Sequence, residues 1–127
     1  MNANTNAINW FEIPANDIER AKGFYETILD IKMHTSNVMG MDMAFFPSDS
    51  MAGKVSGALC KSEMHKPSYE GCVIYLNGNP DLQNVLDKVE AAGGQIVMPK
   101  TRIDEQVGCM AFFIDTEGNK MAVHSMS

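Results

Sequence analysis

Glu12, His124, Cys60 and Cys72 are the residues whose types could do chemistry in this chain. Glu12 stands in Ile8-Asn9-Trp10-Phe11-Glu12-Ile13-Pro14, between an indole and a proline. If that stretch is a strand, alternation puts Ile8, Trp10 and Glu12 on one face. A carboxylate buried there needs a partner or its pKa rises, and a raised carboxyl suits a general base, with His124 assisting. By type alone, one Glu, one His and two Cys also make a donor set for a soft metal. Ordinary roles compete with these. Trp10 can fill a core or wall a cavity that stacks on a planar ligand. Cys72 and Cys109 suit small buried hydrophobes, and His34 and His65 fall in or beside loops, where they read as solvated. Asp115, Gly118 and Asn119 have the types of a turn.

The elements that must position these groups can be read from pattern. Ile8 to Pro14 is rich in β-formers and ends at a proline, which predicts a strand. Asn16 with Glu19 resembles a capping box, and Ile18, Ala21, Phe24, Tyr25, Ile28 and Leu29 recur at helical spacing. That helix should stop near Asp30. Short strands are expected over Ile31 to Thr35, Met41 to Phe46 and Val55 to Lys61, with a turn-rich connection from Pro47 to Lys54. Glu63 to Gly71 reads as a linker. The same order then returns. Cys72 to Leu76 reads as a strand, and Asn79-Pro80 as a helix start. Leu82, Val85, Leu86 and Val89 form the helix stripe, and Gly93-Gly94 is its stop. Strands follow over Gln95 to Met98, Gly108 to Ile114 and Asn119 to Ser125.

The chain therefore reads as β-α-β-β-β twice, with one module over 7–62 and a second over 70–127. Met43-Ala44-Phe45-Phe46 recurs as Met110-Ala111-Phe112-Phe113 at the same point of the second unit. A sheet with a helix on one face must bury its other face. Two such sheets can curve into a half-barrel with a concave cavity between them, the kind of place small molecules occupy. Trp10, Phe45 and Phe112 are expected to line it, with Met43 and neighbouring methionines. Fold class is thus α+β.

Composition narrows the function. With 127 residues, 45% apolar and 20% charged, the chain fits a single globular domain. Ten basic against sixteen acidic residues leave a formal charge of −6, which disfavours nucleic acid and anionic membrane. No apolar run approaches membrane-spanning length, and the polar start Met1-Asn2-Ala3-Asn4-Thr5-Asn6 lacks the pattern of a secretory signal. Three cysteines without CxxC spacing fit a reducing cytoplasm. Eleven methionines suit both core filling and an adaptable cavity.

Trp10 through Tyr25 resembles the opening signature of the vicinal-oxygen-chelate superfamily, which includes glyoxalase I, bleomycin-resistance proteins and extradiol dioxygenases. Phe113-Ile114-Asp115-Thr116-Glu117-Gly118-Asn119-Lys120 resembles its closing signature, and Ala91-Ala92-Gly93-Gly94 also fits. The resemblance implies two βαβββ modules around a cavity and, in catalytic members, a divalent metal held by His, Glu or Gln from the first and last strands of each unit. It also implies a homodimer, in some relatives with units exchanged between chains. At the implied ligand positions this sequence has Trp10 and Ala122, neither of which can ligate. Cys72 stands near a third position, and Gly57-Ala58-Leu59-Cys60 occupies the fourth strand.

The expectation is a cytoplasmic, small-molecule-binding, glyoxalase-like protein with no resident metal or other cofactor. Trp10, Phe45, Cys72, Phe112 and Ala122 would contact the ligand, and Glu12 and His124 would be the reactive pair. The alternative is a metal-dependent glyoxalase-like lyase or dioxygenase with displaced ligands, drawn from Glu12, Cys60, Cys72 and His124. A ligand-free interaction module, its cavity collapsed onto Trp10 and the phenylalanines, is a third reading.

Overall fold

The computed structural model of the chain describes residues 1–49 and 52–127. Strand β1 (Trp10–Pro14) leads into helix α1 (Ile18–Leu29), then β2 (His34–Val38), β3 (Met41–Phe45) and β4 (Ser56–Lys61). The order repeats as β5 (Tyr75–Asn77), α2 (Gln83–Val89), β6 (Gln95–Asp104), β7 (Gly108–Ile114) and β8 (Lys120–Ser125). Each half forms a four-stranded sheet, ordered β1-β4-β3-β2 and β5-β8-β7-β6. In each, the first strand runs parallel to the last and the other pairs are antiparallel. This is the expected α+β fold of two βαβββ modules.

Several boundaries differ from expectation. The cap of α1 is Asp17, not Asn16. Asp17 has extended backbone and its carboxylate accepts from Arg20 N at 3.0 Å. The Asn16 N–H instead donates to Glu117 Oε1 at 2.8 Å. Asn79-Pro80 precedes α2 without capping it, because the Asn79 amide oxygen is engaged by Met126 N at 2.8 Å. Strand β5 begins at Tyr75, so Cys72 lies ahead of it and is exposed. Strand β2 starts at His34, after the Glu26 carboxylate has accepted from Met33 N at 2.8 Å and held the connection to α1. Strand β6 runs on to Asp104, past register shifts on either side of Pro99 that let it bend while paired. Ser50 and Met51, within the expected Pro47 to Lys54 connection, lie outside the described residues.

One core serves both halves. Ile13, Ala44 and Leu59 from the first sheet join Ala111, Phe113 and Val123 from the second. Phe24, Tyr25 and Ile28 of α1 and Val85, Leu86 and Val89 of α2 complete it. The Phe24 and Phe113 rings meet with centroids 6.0 Å apart. Alternation sends the other parity to the opposite sheet faces. There Met43, Ala58 and Cys60 form a separate small cluster edged by Val38, Met41 and Phe45. Gly57 is needed for this packing, since a Cβ on it would come within 2.6 Å of the Phe11 ring.

A buried polar network joins the halves. The Tyr25 hydroxyl donates to Asp115 Oδ2 at 2.7 Å. Asp115 also accepts from the backbone N–H groups of Glu117 and Asn119 and from the Asn119 amide. The same amide donates to the Pro14 carbonyl at 2.7 Å, which fixes the end of β1. The Glu117 carboxylate accepts from the Asn16 and Asp17 backbones at 2.8 Å each, and from the Arg20 guanidinium at 2.8 and 3.0 Å. Placing a carboxylate against the first N–H groups of α1 satisfies orphan donors and complements the helix dipole. Burial alone would raise the Glu117 pKa, but the guanidinium, the two backbone donors and Thr116 together hold it below the ordinary carboxylate value.

Two outcomes follow. Tyr25→Phe should destabilise the fold by about 1.5–3 kcal/mol, because a buried carboxylate loses a charge-assisted donor; urea unfolding would show a lower midpoint with unchanged slope. Glu117 stabilises as a carboxylate with a depressed native pKa. The advantage of the native chain over Glu117→Gln should therefore be full above pH 4.5 and shrink as pH falls through the depressed value. Paired acid titrations followed by circular dichroism would measure it.

Candidate functional site

The face of the first sheet that points away from the helices carries the chemistry. On β1, Trp10 and Glu12 share this face, and the Trp10 indole N–H donates to Glu12 Oε2 at 3.2 Å. The Trp10 and Phe45 rings approach with centroids 6.0 Å apart. Glu12 stands opposite Ala58 on the parallel strand β4, and Cys60 opposite Pro14. Cys60 is two positions on from Ala58, so the thiol lies diagonal to the carboxylate on the same face. The small side chain of Ala58 leaves that corner open.

The third member of the corner arrives from beyond β4. The chain turns sharply after Lys61, with the His65 N–H donating to the Ser62 carbonyl at 3.2 Å. Ser62 Oγ accepts from Met64 N and lies 2.7 Å from His65 Nδ1. The turn swings the imidazole back over the sheet, where Nε2 sits 2.7 Å from Glu12 Oε1. A carboxylate only accepts, so Nε2 carries the proton. Among the described residues, Glu12, Cys60 and His65 form the one group of three such donors whose ligand atoms all lie within 4.8 Å of one another.

Electrostatics within the corner is coupled. The hydrogen bond from His65 holds the Glu12 pKa below its ordinary value, overriding the upward push of burial, with help from Trp10 and Cys60. Of the two outcomes expected for a buried Glu12, a partner or a raised pKa, the structure has the partner. The partner wins because the imidazole stabilises the charged form directly. Burial and the neighbouring Glu12 charge push the Cys60 thiol up to about 12, so it is protonated at neutral pH. His65 corrects an expectation. It was expected to be solvated, yet its side chain is only 15% exposed.

The remaining expected site residues are distributed differently. His124 does not join Glu12. It lies on β8 opposite Met110 and Asn77, and its Nε2–H donates to the Val107 carbonyl. Ala122 is buried on β8, opposite Phe112 on one side and Tyr75 on the other. The Tyr75 and Phe112 rings meet at 6.1 Å. Cys72 shares a recess of about 220 Å³ with Glu12, Ser68, Asn119 and Lys120. A larger cleft, of about 930 Å³, opens on the opposite side of β1, lined by Phe11, Ile28, Phe46 and Val85; neither Trp10 nor Glu12 reaches it. Tyr75, exposed on the second sheet, carries no signal in the sequence beyond being an aromatic residue in a strand.

Comparison with known proteins places this geometry. Residues 7–123 match the family model of the glyoxalase/bleomycin resistance protein/dioxygenase superfamily. The chain belongs to that superfamily. A glyoxylase-like domain-containing protein from Didymella fabae is 31% identical over 129 residues, with 91% of each chain covered. The solved glyoxylase/bleomycin resistance protein/dioxygenase domain from Frankia sp. superposes with a TM-score of 0.71 at 15% identity, covering 95% of this chain and 98% of that one. Glyoxalase I from Zea mays superposes with a TM-score of 0.67 at 14% identity, over 92% of this chain and 43% of the maize chain.

Within the superfamily fold, strand register tests whether this chain's residues suit the expected metal. Phe112 pairs with Ala122 as Phe45 pairs with Ala58, so Ala58 is the counterpart of Ala122 in the first half. Opposite them on the parallel strands stand Glu12 and Tyr75. At the positions where the resemblance implies ligands the chain thus carries Trp10, Ala58, Cys72 and Ala122, with no carboxylate and no imidazole. Such a set does not fit a divalent ion that needs three or four N or O donors.

Removing the imidazole should free Glu12. In His65→Ala, the Glu12 pKa should rise from its lowered position, since burial persists while its strongest opponent is gone and only Trp10 and Cys60 still oppose it. A carboxylate-detected NMR titration of the two proteins would show the displacement.

Proposed function

We propose that this superfamily member binds a small, planar or partly apolar molecule on the faces of its sheets that point away from the helices. Trp10, Met43 and Phe45 supply the apolar wall in the first half, and the Glu12–His65 pair its polar anchor. Phe112 and Ala122 extend the surface in the second half, and Cys72 contributes from the recess it shares with Glu12. The observation that carries this reading is a hydrogen-bonded carboxylate and imidazole with a displaced carboxyl pKa, set beside an indole that is 44% exposed.

The reading includes loss of the family's usual metal chemistry, argued from the residue types at the implied ligand positions. The groups the site offers for catalysis are Glu12 as an ionised acceptor and His65 as a donor. His124, held to a backbone carbonyl, would serve the second sheet instead. We place the protein in the cytoplasm, where its free thiols are at home. We also propose a homodimer, in which a second copy covers Trp10 and Tyr75, respectively 44% and 50% exposed in the single chain. Among the described residues no helix is long and apolar enough to cross a membrane.

The test is a thermal-shift screen of aromatic and flat heterocyclic compounds against flexible aliphatic controls. A ligand at 100 times its Kd should stabilise by about 2.7 kcal/mol. The expected result is saturable stabilisation by at least one planar compound, lost in Trp10→Ala and weakened in Glu12→Gln. Stabilisation by none, or stabilisation unchanged in both variants, would overturn the proposal.

A further inference from the structure

We infer that Glu12, Cys60 and His65 form a three-donor site for a thiophilic divalent cation such as Zn²⁺, displaced from the family's usual ligand positions. The inference deepens the small-molecule reading, since both use the same corner of the first sheet. It needs neither β5 nor β8. Two donors come from the paired strands β1 and β4, and the third from the turn that follows β4.

The geometry supplies three features that a metal site needs. The donors are of three types, carboxylate oxygen, thiol sulfur and imidazole nitrogen, and their ligand atoms already lie within 4.8 Å of one another. This donor mixture suits a borderline-to-soft ion over Mg²⁺ or Ca²⁺. The imidazole is oriented from behind, because Ser62 Oγ lies 2.7 Å from Nδ1 and leaves Nε2 facing the other donors. That is the outer partner a ligating histidine requires. Access is also present, since the Glu12 side chain is 33% exposed while Cys60 is buried beneath it. A fourth coordination position would therefore open toward the sheet face, where water or a ligand heteroatom can enter.

Protons and charge balance. Without the cation, the Cys60 S–H and the His65 Nε2–H both satisfy Glu12. On binding, sulfur gives its proton to solvent and becomes the thiolate ligand. A neutral imidazole moves its remaining proton to Nδ1, donates it to Ser62 and ligates through Nε2; an imidazolium releases one proton more. The two negative ligands then neutralise the dication. Binding thus releases one or two protons per ion and strengthens as pH rises.

The experiment titrates the purified, reduced full-length chain with Co²⁺ and follows the thiolate-to-cobalt charge-transfer band in the near ultraviolet, with Zn²⁺ as competitor. One equivalent per chain is expected, with the band displaced by Zn²⁺. Cys60→Ser should abolish the band, while Cys72→Ser and Cys109→Ser should retain it. Ser62→Ala should weaken affinity about 10- to 100-fold with the band intact. Circular dichroism confirms that each variant is folded. No stoichiometric band, or a band lost in Cys72→Ser and kept in Cys60→Ser, would overturn the inference. Planar-compound stabilisation without cobalt binding would sink only the cation site. Cobalt binding without any such stabilisation would sink only the small-molecule reading.

Discussion

The turn from Asp115 to Asn119 holds the molecule's two halves in one arrangement, and the site depends on it. Asp115 is buried, and burying a carboxyl group is costly unless its lone pairs are engaged. Its partners are one hydroxyl from α1 and three N–H groups from its own turn. Asn119 carries the same order onward to the Pro14 carbonyl. Pro14 ends the strand that bears Glu12, so the position of Glu12 follows from a network in the other half. Glu117 acts in parallel by seating the N-terminus of α1, whose far face packs on the shared core.

Alternation then separates duties along each strand. On β1 and β4, Ile13 and Leu59 serve the core, while Glu12, Ala58 and Cys60 face away from the helices. A polar corner can persist there because the surrounding apolar side chains are small or flexible. Ala58 makes room, and Met43 and Phe45 form one rim. The pair is satisfied without being sealed off. Glu12 keeps an exposed flank, and His65 is braced by Ser62. Such a corner is preorganised for a polar or cationic guest, since its groups are held in place before anything binds.

The internal repeat was legible because the fold uses it literally. Met43-Ala44-Phe45 on β3 pairs with Cys60-Leu59-Ala58, and Met110-Ala111-Phe112 on β7 pairs with His124-Val123-Ala122. The two halves thus present the same alternation, with Phe45 opposite Ala58 in one and Phe112 opposite Ala122 in the other. Less was legible where local signals compete with tertiary demand. Asn16 looks as good a cap as Asp17, but its N–H is taken by Glu117, a hundred residues away in the chain. Asn79-Pro80 has the types of a helix start, yet Asn79 serves the backbone of Met126.

His65 shows the boundary most clearly. Periodicity established the element order, the doubled module and the buried stripes of both helices, because each of these is written in side-chain spacing of period 2 or 3.6. The pairing of His65 with Glu12, and the separation of His124 from it, depend on the direction in which a loop returns and on which strands become neighbours. Those are set by packing and hydrogen bonds between residues far apart in the chain. No local period encodes them, so the composition of the reactive corner emerged only once the chain had closed on itself.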